Sequence, residues 1–478
     1  MWRGKDVALL AEGILWGDPE VPVQGCLLDS RQAKGGEIFF ALPGERADGH
    51  DFVVSAWRAG AALAVGDKAR WSSSVKTHPV APVEIPPGKA LVLVDSVPRA
   101  LRTLAKAWRE RIGAKVVAVT GSNGKTTTKD MVAAVLSRRY RVCKNLENHN
   151  NELGLPFTVL NAPPDTEILV LEMGMRGLGQ IRALTEIARP ETGVITNIGT
   201  VHLELLGSRE KIAQAKWELV EALPKDGWAV LNAEDRLSAE KAKDDPHQAR
   251  FYGLRGDWMN AEVTGEDLAA EGVMGTGFSA VRGGERARVS LPLPGEHHVL
   301  DALAALTVGT IYGISLAEGG RGLEKMELSR MRLEVRPGIE GSTLISDVYN
   351  ANPVSMQASL SILKERAGAS PTVAILGEMY ELGEDSKSGH NRVGRVAAGL
   401  GLSSLITVGA LAEDIAVGAR EAGLAPDKVN ICATREEAVE KAVRVLKTLP
   451  AGAWVLVKGS RGMRMETVSG ALQAGDFA

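Results

Sequence analysis

The chain has 478 residues, 45% hydrophobic and 24% charged, and its 56 Lys and Arg nearly balance its 59 Asp and Glu for a net charge of −3. That length suits about three domains, and the composition excludes a disordered, collagen-like or coiled-coil chain. No basic excess points to nucleic acid, although a local anion site stays open.

Cys26, Cys143 and Cys432 are odd in number and far apart, which excludes a disulfide framework or a cysteine-based zinc site and fits a reducing compartment. No apolar run approaches the ~18 residues of a membrane span. The N-terminus does not read as a secretory signal. A cytoplasmic location is therefore expected.

In chain order, short strand-like runs at residues 37–41, 61–65 and 90–94 have little helix between them, and a Pro-rich stretch at 79–87 reads as loop. A helical pattern over 98–111 ends at Gly113, a C-cap residue. An apolar run at 116–120 predicts a buried parallel strand, followed by a turn and a helix over 125–138. Strands at 168–172, 194–197 and 228–232 alternate with helices at 178–188 and 209–223. This alternation predicts an α/β unit with a mostly parallel sheet. Residues 250–293 are Gly-rich with β-type alternation and read as a small antiparallel insertion, and helix returns at 298–312. The charged stretch 316–332 reads as a linker. From Gly338 onward, strands at 343–348, 373–376, 405–408 and 454–458 alternate with helices at 355–366, 390–400, 411–422 and 436–446. That is a second, Rossmann-like sheet. The domain boundaries expected are 1–100, 101–325 and 326–478.

Chemistry concentrates first in Thr120-Gly-Ser-Asn-Gly-Lys-Thr-Thr-Thr128, set between a predicted strand and a predicted helix. Gly121, Ser122, Asn123 and Gly124 offer backbone N–H groups to phosphate, and the helix N-terminus adds its dipole. Lys125 would reach the β- and γ-phosphates, the Thr126 hydroxyl would ligate Mg²⁺, and Thr127 continues the loop. The spacing is shorter than the usual G-x-x-x-x-G-K-[ST]. Glu172 ends a predicted strand at a sheet edge, where a carboxylate can hold Mg²⁺. His202 also follows a sheet edge, while Lys216 on a helix reads by itself as a solvated lysine.

The shortened loop resembles that of the Mur ligases and folylpolyglutamate synthases, three-domain ATP-dependent carboxylate–amine ligases. The stretches 169–174, 195–204 and 212–216 resemble the Mur ligase central domain. By that resemblance Glu172 and His202 bind Mg²⁺, and Lys216 is carbamylated to help hold a second Mg²⁺. Asp29-Ser-Arg31 with Asp48-Gly-His-Asp-Phe52 resembles the family's UDP-sugar domain, which implicates Ser30, Arg31, Asp48 and His50. Asn148-His-Asn-Asn151 resembles the family's asparagine loop, which implicates Asn148, Asn150 and Asn151 in substrate binding. Asp347-Val-Tyr-Asn-Ala-Asn-Pro353 and Lys458-Gly-Ser-Arg461 resemble the third domain's motifs. They implicate Asn350, Asn352, Lys458, Ser460 and Arg461 in substrate binding, with Asp347 and Arg332 near the nucleotide. Lys458, Ser460 and Arg461 follow a strand end, where a cation cluster could grip the dipeptide's carboxylate.

Two departures stand out. His298 and Asp301 occupy positions where the family has asparagines near adenine, with Asp301 kept as a nucleotide contact. Glu378 stands where Asp is usual.

The resemblance implies an α/β fold of three domains: an N-terminal α/β UDP-sugar domain, a central P-loop parallel-sheet ATPase domain and a C-terminal Rossmann-like domain. It implies a monomeric ligase using ATP and Mg²⁺ at two sites, with UDP-N-acetylmuramoyl-tripeptide and D-alanyl-D-alanine as substrates, and no nucleic acid or membrane partner. Two alternatives remain: a relative with the same ATP core but another acceptor, and a non-catalytic nucleotide-binding module. The Asp347–Pro353 string argues against folylpolyglutamate synthase. Retention of Lys125, Thr126, Glu172, His202 and Lys216 argues against the module.

Overall fold

A computed structural model describes residues 2–44, 47–71, 83–145, 149–201, 203–255, 257–327, 329, 331–475 of the chain. Among them lie four sheets of two, five, six and nine strands. The five-stranded sheet runs Ile14–Gly17, Ala90–Val94, Leu63–Asp67, Ile38–Phe40, Cys26–Leu27, with only the first strand antiparallel. The short helices Gly4–Leu10 and Val53–Ala59 flank it. Neither was expected, because seven residues give barely two turns of periodicity, too little to stand out from strand patterning.

Helix Val97–Ile112 joins this unit to the next. Ser96 caps its first turn, Pro98 sits in that turn, and Gly113 (φ 64°) supplies the left-handed C-cap. Its Trp108 indole donates to the Ala162 carbonyl (3.0 Å) and packs edge-on against Trp2, with ring centroids 5.3 Å apart.

The central sheet has nine strands, and the parallel strand Lys115–Thr120 lies between Ile168–Glu172 and Thr192–Ile195. Chain order reverses there, so the carboxyl end of Lys115–Thr120 opens on a crevice. The expected insertion at 250–293 is no separate body. Gln248–Gly253 and Val263–Glu271 extend the same sheet in parallel, and a three-stranded meander ends it antiparallel.

The linker expectation at 316–332 is also corrected: Leu316–Leu323 is a helix capped by Ser315. Three glycines there lower helix propensity, but they let the helix lie close to helix Lys125–Leu136. A Cβ at Gly322 would fall 2.6 Å from the Ala134 carbonyl oxygen.

The last sheet runs Glu334–Pro337, Thr343–Asp347, Trp454–Lys458, Thr372–Gly377, Ser404–Val408, Val429–Cys432, all parallel except the first. No helix among the described residues is long and apolar enough to cross a membrane.

Candidate active site

The phosphate loop leaves the carboxyl end of strand Lys115–Thr120 and enters helix Lys125–Leu136. Gly121 (φ 153°) lies so close to strand Thr192–Ile195 that a Cβ would sit 1.8 Å from Thr196 Oγ1. Gly124 (φ 79°) caps the helix in the left-handed region, beside Asp301. Asn123 is gripped on both sides of its backbone. Its N–H donates to Asn197 Oδ1 (3.0 Å), and its carbonyl accepts from Thr196 Oγ1 (2.6 Å) and Asn197 Nδ2 (3.1 Å). Ser122 Oγ accepts from the Gly199 N–H at 2.8 Å. The Lys125 ammonium donates to the carbonyls of Gly121 (2.9 Å) and Ser122 (3.2 Å). Burial lowers its pKa, Glu172 opposes that shift and Arg332 adds to it. Thr127 is buried behind the loop.

Glu172 converges on the same point. The Thr126 hydroxyl donates to Glu172 Oε2 at 2.7 Å, and Asn150 Nδ2 donates to Oε1 at 2.8 Å. Lys216 is buried, and its Nζ donates to the Gly121 carbonyl at 2.9 Å. Burial and the nearby Lys125 charge push its pKa well down, so it is not the solvated lysine its helix position suggested. Burial beside a second cation favours the neutral amine, the form that reacts with CO₂. His202 and Asn148 lie outside the described residues. The donors gathered at Thr126 and Glu172 are hard oxygens, which suits Mg²⁺. No group of three or more His, Cys, Asp or Glu that could hold a metal occurs among the described residues.

The C-terminal unit reaches the loop directly. Arg332 stacks on Tyr349 (4.3 Å to the ring centroid) and donates to Thr126 Oγ1 at 2.9 Å. Asn352 Nδ2 donates to Asn123 Oδ1 at 2.7 Å. The three residues expected to form a cation cluster each engage partners within the protein. Lys458 is buried and pairs with Asp347 (2.5 Å), also donating to the Asn350 carbonyl (3.0 Å). Ser460 is buried and accepts from the Tyr380 N–H, and Arg461 pairs with Glu466. Burial alone would raise the Asp347 pKa, but the Lys458 charge and hydrogen bonds from Lys458 and Ser359 hold it below the usual carboxylate value. Asn350 Oδ1 accepts from the Ala351 N–H.

Asp301 sits beneath the loop rather than open to a base. Its Oδ1 accepts from Thr128 Oγ1 at 2.8 Å, and burial pushes its pKa up to about 7. His298 Nδ1 contacts the Pro294 carbonyl (2.6 Å), and burial lowers its pKa to about 4.

In the N-terminal unit, Asp48, Asp67 and His50 form an internal network. His50 is buried, its Nδ1 lies 2.5 Å from Asp48 Oδ1, and its Nε2 accepts from the Asp67 N–H at 2.9 Å. Asp48 also pairs with Arg70. Ser30 is buried, whereas Arg31 is exposed and its guanidinium is aligned by Asp29 in a two-pronged contact. Asn151 Oδ1 accepts from the N–H groups of Leu153 and Gly154, capping the following helix.

Sequence reading missed Asn145, whose carboxamide clamps Glu172 by accepting from its N–H (2.8 Å) and donating to its carbonyl (3.1 Å). It also missed buried Lys129, which donates to the Asn145 carbonyl at 2.8 Å. Periodicity carries no signal for either. A charged Lys-Asp pair on the inward face of a buried helix was the one available hint.

Comparison with known proteins places these features in context. Residues 22–109 match a model described as the Mur ligase family catalytic domain, 119–309 the Mur ligase middle domain, and 331–461 the Mur ligase glutamate ligase domain. The chain is 36% identical to a UDP-N-acetylmuramoyl-tripeptide–D-alanyl-D-alanine ligase of Bacillus subtilis, over 97% of this chain and 96% of the relative. A crystal structure of MurF from Acinetobacter baumannii superposes with TM-score 0.83 at 30% identity, covering 98% of both chains. MurF from Thermotoga maritima, solved in complex with ADP, superposes with TM-score 0.77 at 28% identity, over 94% of this chain and 97% of that one.

Proposed function

Because the chain belongs to the Mur ligase family, we infer that it joins D-alanyl-D-alanine to the terminal carboxylate of UDP-N-acetylmuramoyl-tripeptide, with ATP converted to ADP and phosphate. This is a step of peptidoglycan precursor synthesis, and we place it in the cytoplasm, where such nucleotide-linked precursors are made. One observation carries the reading: Thr126 on the phosphate loop is contacted at once by Glu172 of the central sheet and Arg332 of the C-terminal unit. A phosphate site shared by two units is what a reaction between two bound substrates needs. The division at 1–100, 101–325 and 326–478 belongs to this reading and is supported by one large sheet lying mainly in each segment.

The tripeptide carboxylate attacks the γ-phosphorus and ADP leaves, giving an acyl phosphate. The neutral amine of the dipeptide then attacks the acyl carbon. Phosphate departs and the amine gives up a proton. Two anions meet in the first step, so cations must offset their repulsion. Lys125 supplies one at the loop. Thr126 and Glu172, with His202 and a carbamylated Lys216 by family resemblance, would hold Mg²⁺ at two sites, whose charge would serve the same end. Carbamylation needs the neutral Lys216 amine to attack CO₂ and lose a proton, and its buried position beside Lys125 favours that form.

The remaining site residues divide by what surrounds them. In this reading Asn150 and Arg31 contact substrate, with Asn150 oriented by Glu172 and Arg31 by Asp29. Asp48, His50, Asn151, Asn350, Lys458 and Ser460 act through the backbone and side chains they hold. In this reading Asp301, Arg332 and Asp347 serve the nucleotide and Arg461 the substrate.

The test is an acceptor-swap assay of phosphate release with Mg²⁺-ATP. Release with UDP-muramoyl-tripeptide and D-alanyl-D-alanine is expected, comparing lysine and diaminopimelate forms of the tripeptide. Release that prefers a single amino acid with a UDP-muramoyl-dipeptide would reassign the chain to another member of the family.

A further inference from the structure

The contact between Asn352 and Asn123 has a use beyond holding two units together. Asn352 is the N-cap of helix Pro353–Ala367: its Oδ1 accepts from the Ser355 N–H (2.9 Å), while Ser355 Oγ accepts from the Asn352 N–H (3.0 Å). That reciprocal cap fixes the carboxamide rotamer. The amide nitrogen on the far side is thereby aimed out of the C-terminal unit, and it donates to Asn123 Oδ1 at 2.7 Å. Asn123 cannot swing away easily, because Asn197 and Thr196 hold its backbone. One carboxamide thus ties a helix start of the third unit to the tip of the phosphate loop.

Besides the Arg332–Thr126 bond at the base of the loop, two further contacts between these units lie away from it. Arg366, on the same helix as the cap, donates to the Gly275 carbonyl (3.0 Å) at the end of the central sheet, and Arg176 pairs with Glu381 (3.1 Å). They can hold the units together without sensing the loop. The Asn352–Asn123 bond cannot form unless the loop tip and the C-terminal unit are in register.

We propose that Asn352 is a positioning residue, a clasp on phosphate-loop Asn123 that keeps the C-terminal unit closed while the acyl phosphate exists. The proposal rests on the ligase reading above. An acyl phosphate exposed to water is lost: water attacks the acyl carbon, the carbon–oxygen bond to phosphate breaks, and the free carboxylate returns. Each such event consumes one ATP and makes no peptide bond. The clasp therefore acts on coupling, the ratio of phosphate released to peptide formed.

The experiment measures both products in the full chain and in Asn352→Ser, Asn123→Ala and the double variant. Serine still caps the helix but is too short to reach Asn123, so the melting temperature should hold. Asn352→Thr, which also caps but does not reach Asn123, replaces the serine variant should that one fail to fold. Wild type should release one phosphate per peptide bond. Loss of one neutral hydrogen bond weakens closure about fivefold, so each single variant should release clearly more than one phosphate per bond. The double variant should be no worse than the poorer single. A ratio of one in every variant, or single effects that multiply in the double, overturns the clasp. Wild type making no dipeptide-dependent product would instead overturn the ligase reading itself.

Discussion

Asp301→Asn tests whether burial or charge dominates beneath the phosphate loop. Asp301 is buried, accepts one hydrogen bond from Thr128, and has a carboxyl pushed from 3.8 up to about 7, burial outweighing the Thr128 bond and the Arg332 charge. Between those values the unfolded chain has lost the proton that the folded chain keeps. The unfolded state therefore binds fewer protons, and stability must fall as pH rises through this window. At 1.36 kcal/mol per pH unit the cost reaches at most about 4 kcal/mol above pH 7. Asparagine keeps the acceptor for Thr128 and cannot ionise. The variant should match wild type at or below about pH 3.8, gain on it as pH rises to about 7, and hold that gain to pH 8, within that ceiling. Urea unfolding followed by tryptophan fluorescence, at matched pH for both chains, measures the gap, and the comparison cancels the other titrating groups. A gap that does not change with pH, or a variant less stable than wild type at pH 8, would refute the argument. It would mean that the carboxylate is ionised in the fold and held by Arg332.

Gly124→Ala places a Cβ 2.5 Å from Asp301 Oδ1 at a residue with φ 79°. A loss of about 1–3 kcal/mol from backbone strain, with weaker ADP binding, should appear in thermal melts and calorimetry. Lys458→Met leaves Asp347 buried without its partner. Destabilisation of about 3–5 kcal/mol is expected, read by the same melts, and Asp347→Asn in the same chain should recover part of it. Glu172→Gln keeps an acceptor for Thr126 but can turn an amide donor toward Asn150 Nδ2. Turnover should drop by about 10²-fold or more with little change in melting temperature, and steady-state kinetics at saturating ATP will show it.

Much of the α/β order was legible because buried parallel strands are short continuous apolar runs. Ala90–Val94, Ile168–Glu172, Trp228–Asn232 and Trp454–Lys458 begin and end where the pattern does. Packing overrode local signal elsewhere. The Leu316–Leu323 helix is rich in glycine yet folds because those glycines let it meet helix Lys125–Leu136. Strand Val429–Cys432 went unseen because it is only four residues long and lies at the sheet edge with just its two end residues buried.

The phosphate loop could be read from its own residues, since backbone N–H groups, glycines and a lysine act locally. Lys216 could not, because what makes it unusual is burial against Gly121, 95 residues away in sequence. Family resemblance put Lys458 and His50 among the substrate-binding residues, and the fold engages Lys458 with Asp347 and His50 with Asp48 and the Asp67 N–H, partners that residue type alone does not reveal.

The central claim is ligation through an acyl phosphate. The most direct measurement supplies UDP-muramoyl-tripeptide labelled with ¹⁸O in its terminal carboxylate, together with Mg²⁺-ATP and D-alanyl-D-alanine. Mass spectrometry then follows the peptide product and the released phosphate. The account predicts a pentapeptide product and one ¹⁸O atom carried into each phosphate, because the carboxylate oxygen that attacks phosphorus leaves with it. Product formed with unlabelled phosphate, or phosphate released without any dipeptide adduct, would contradict it.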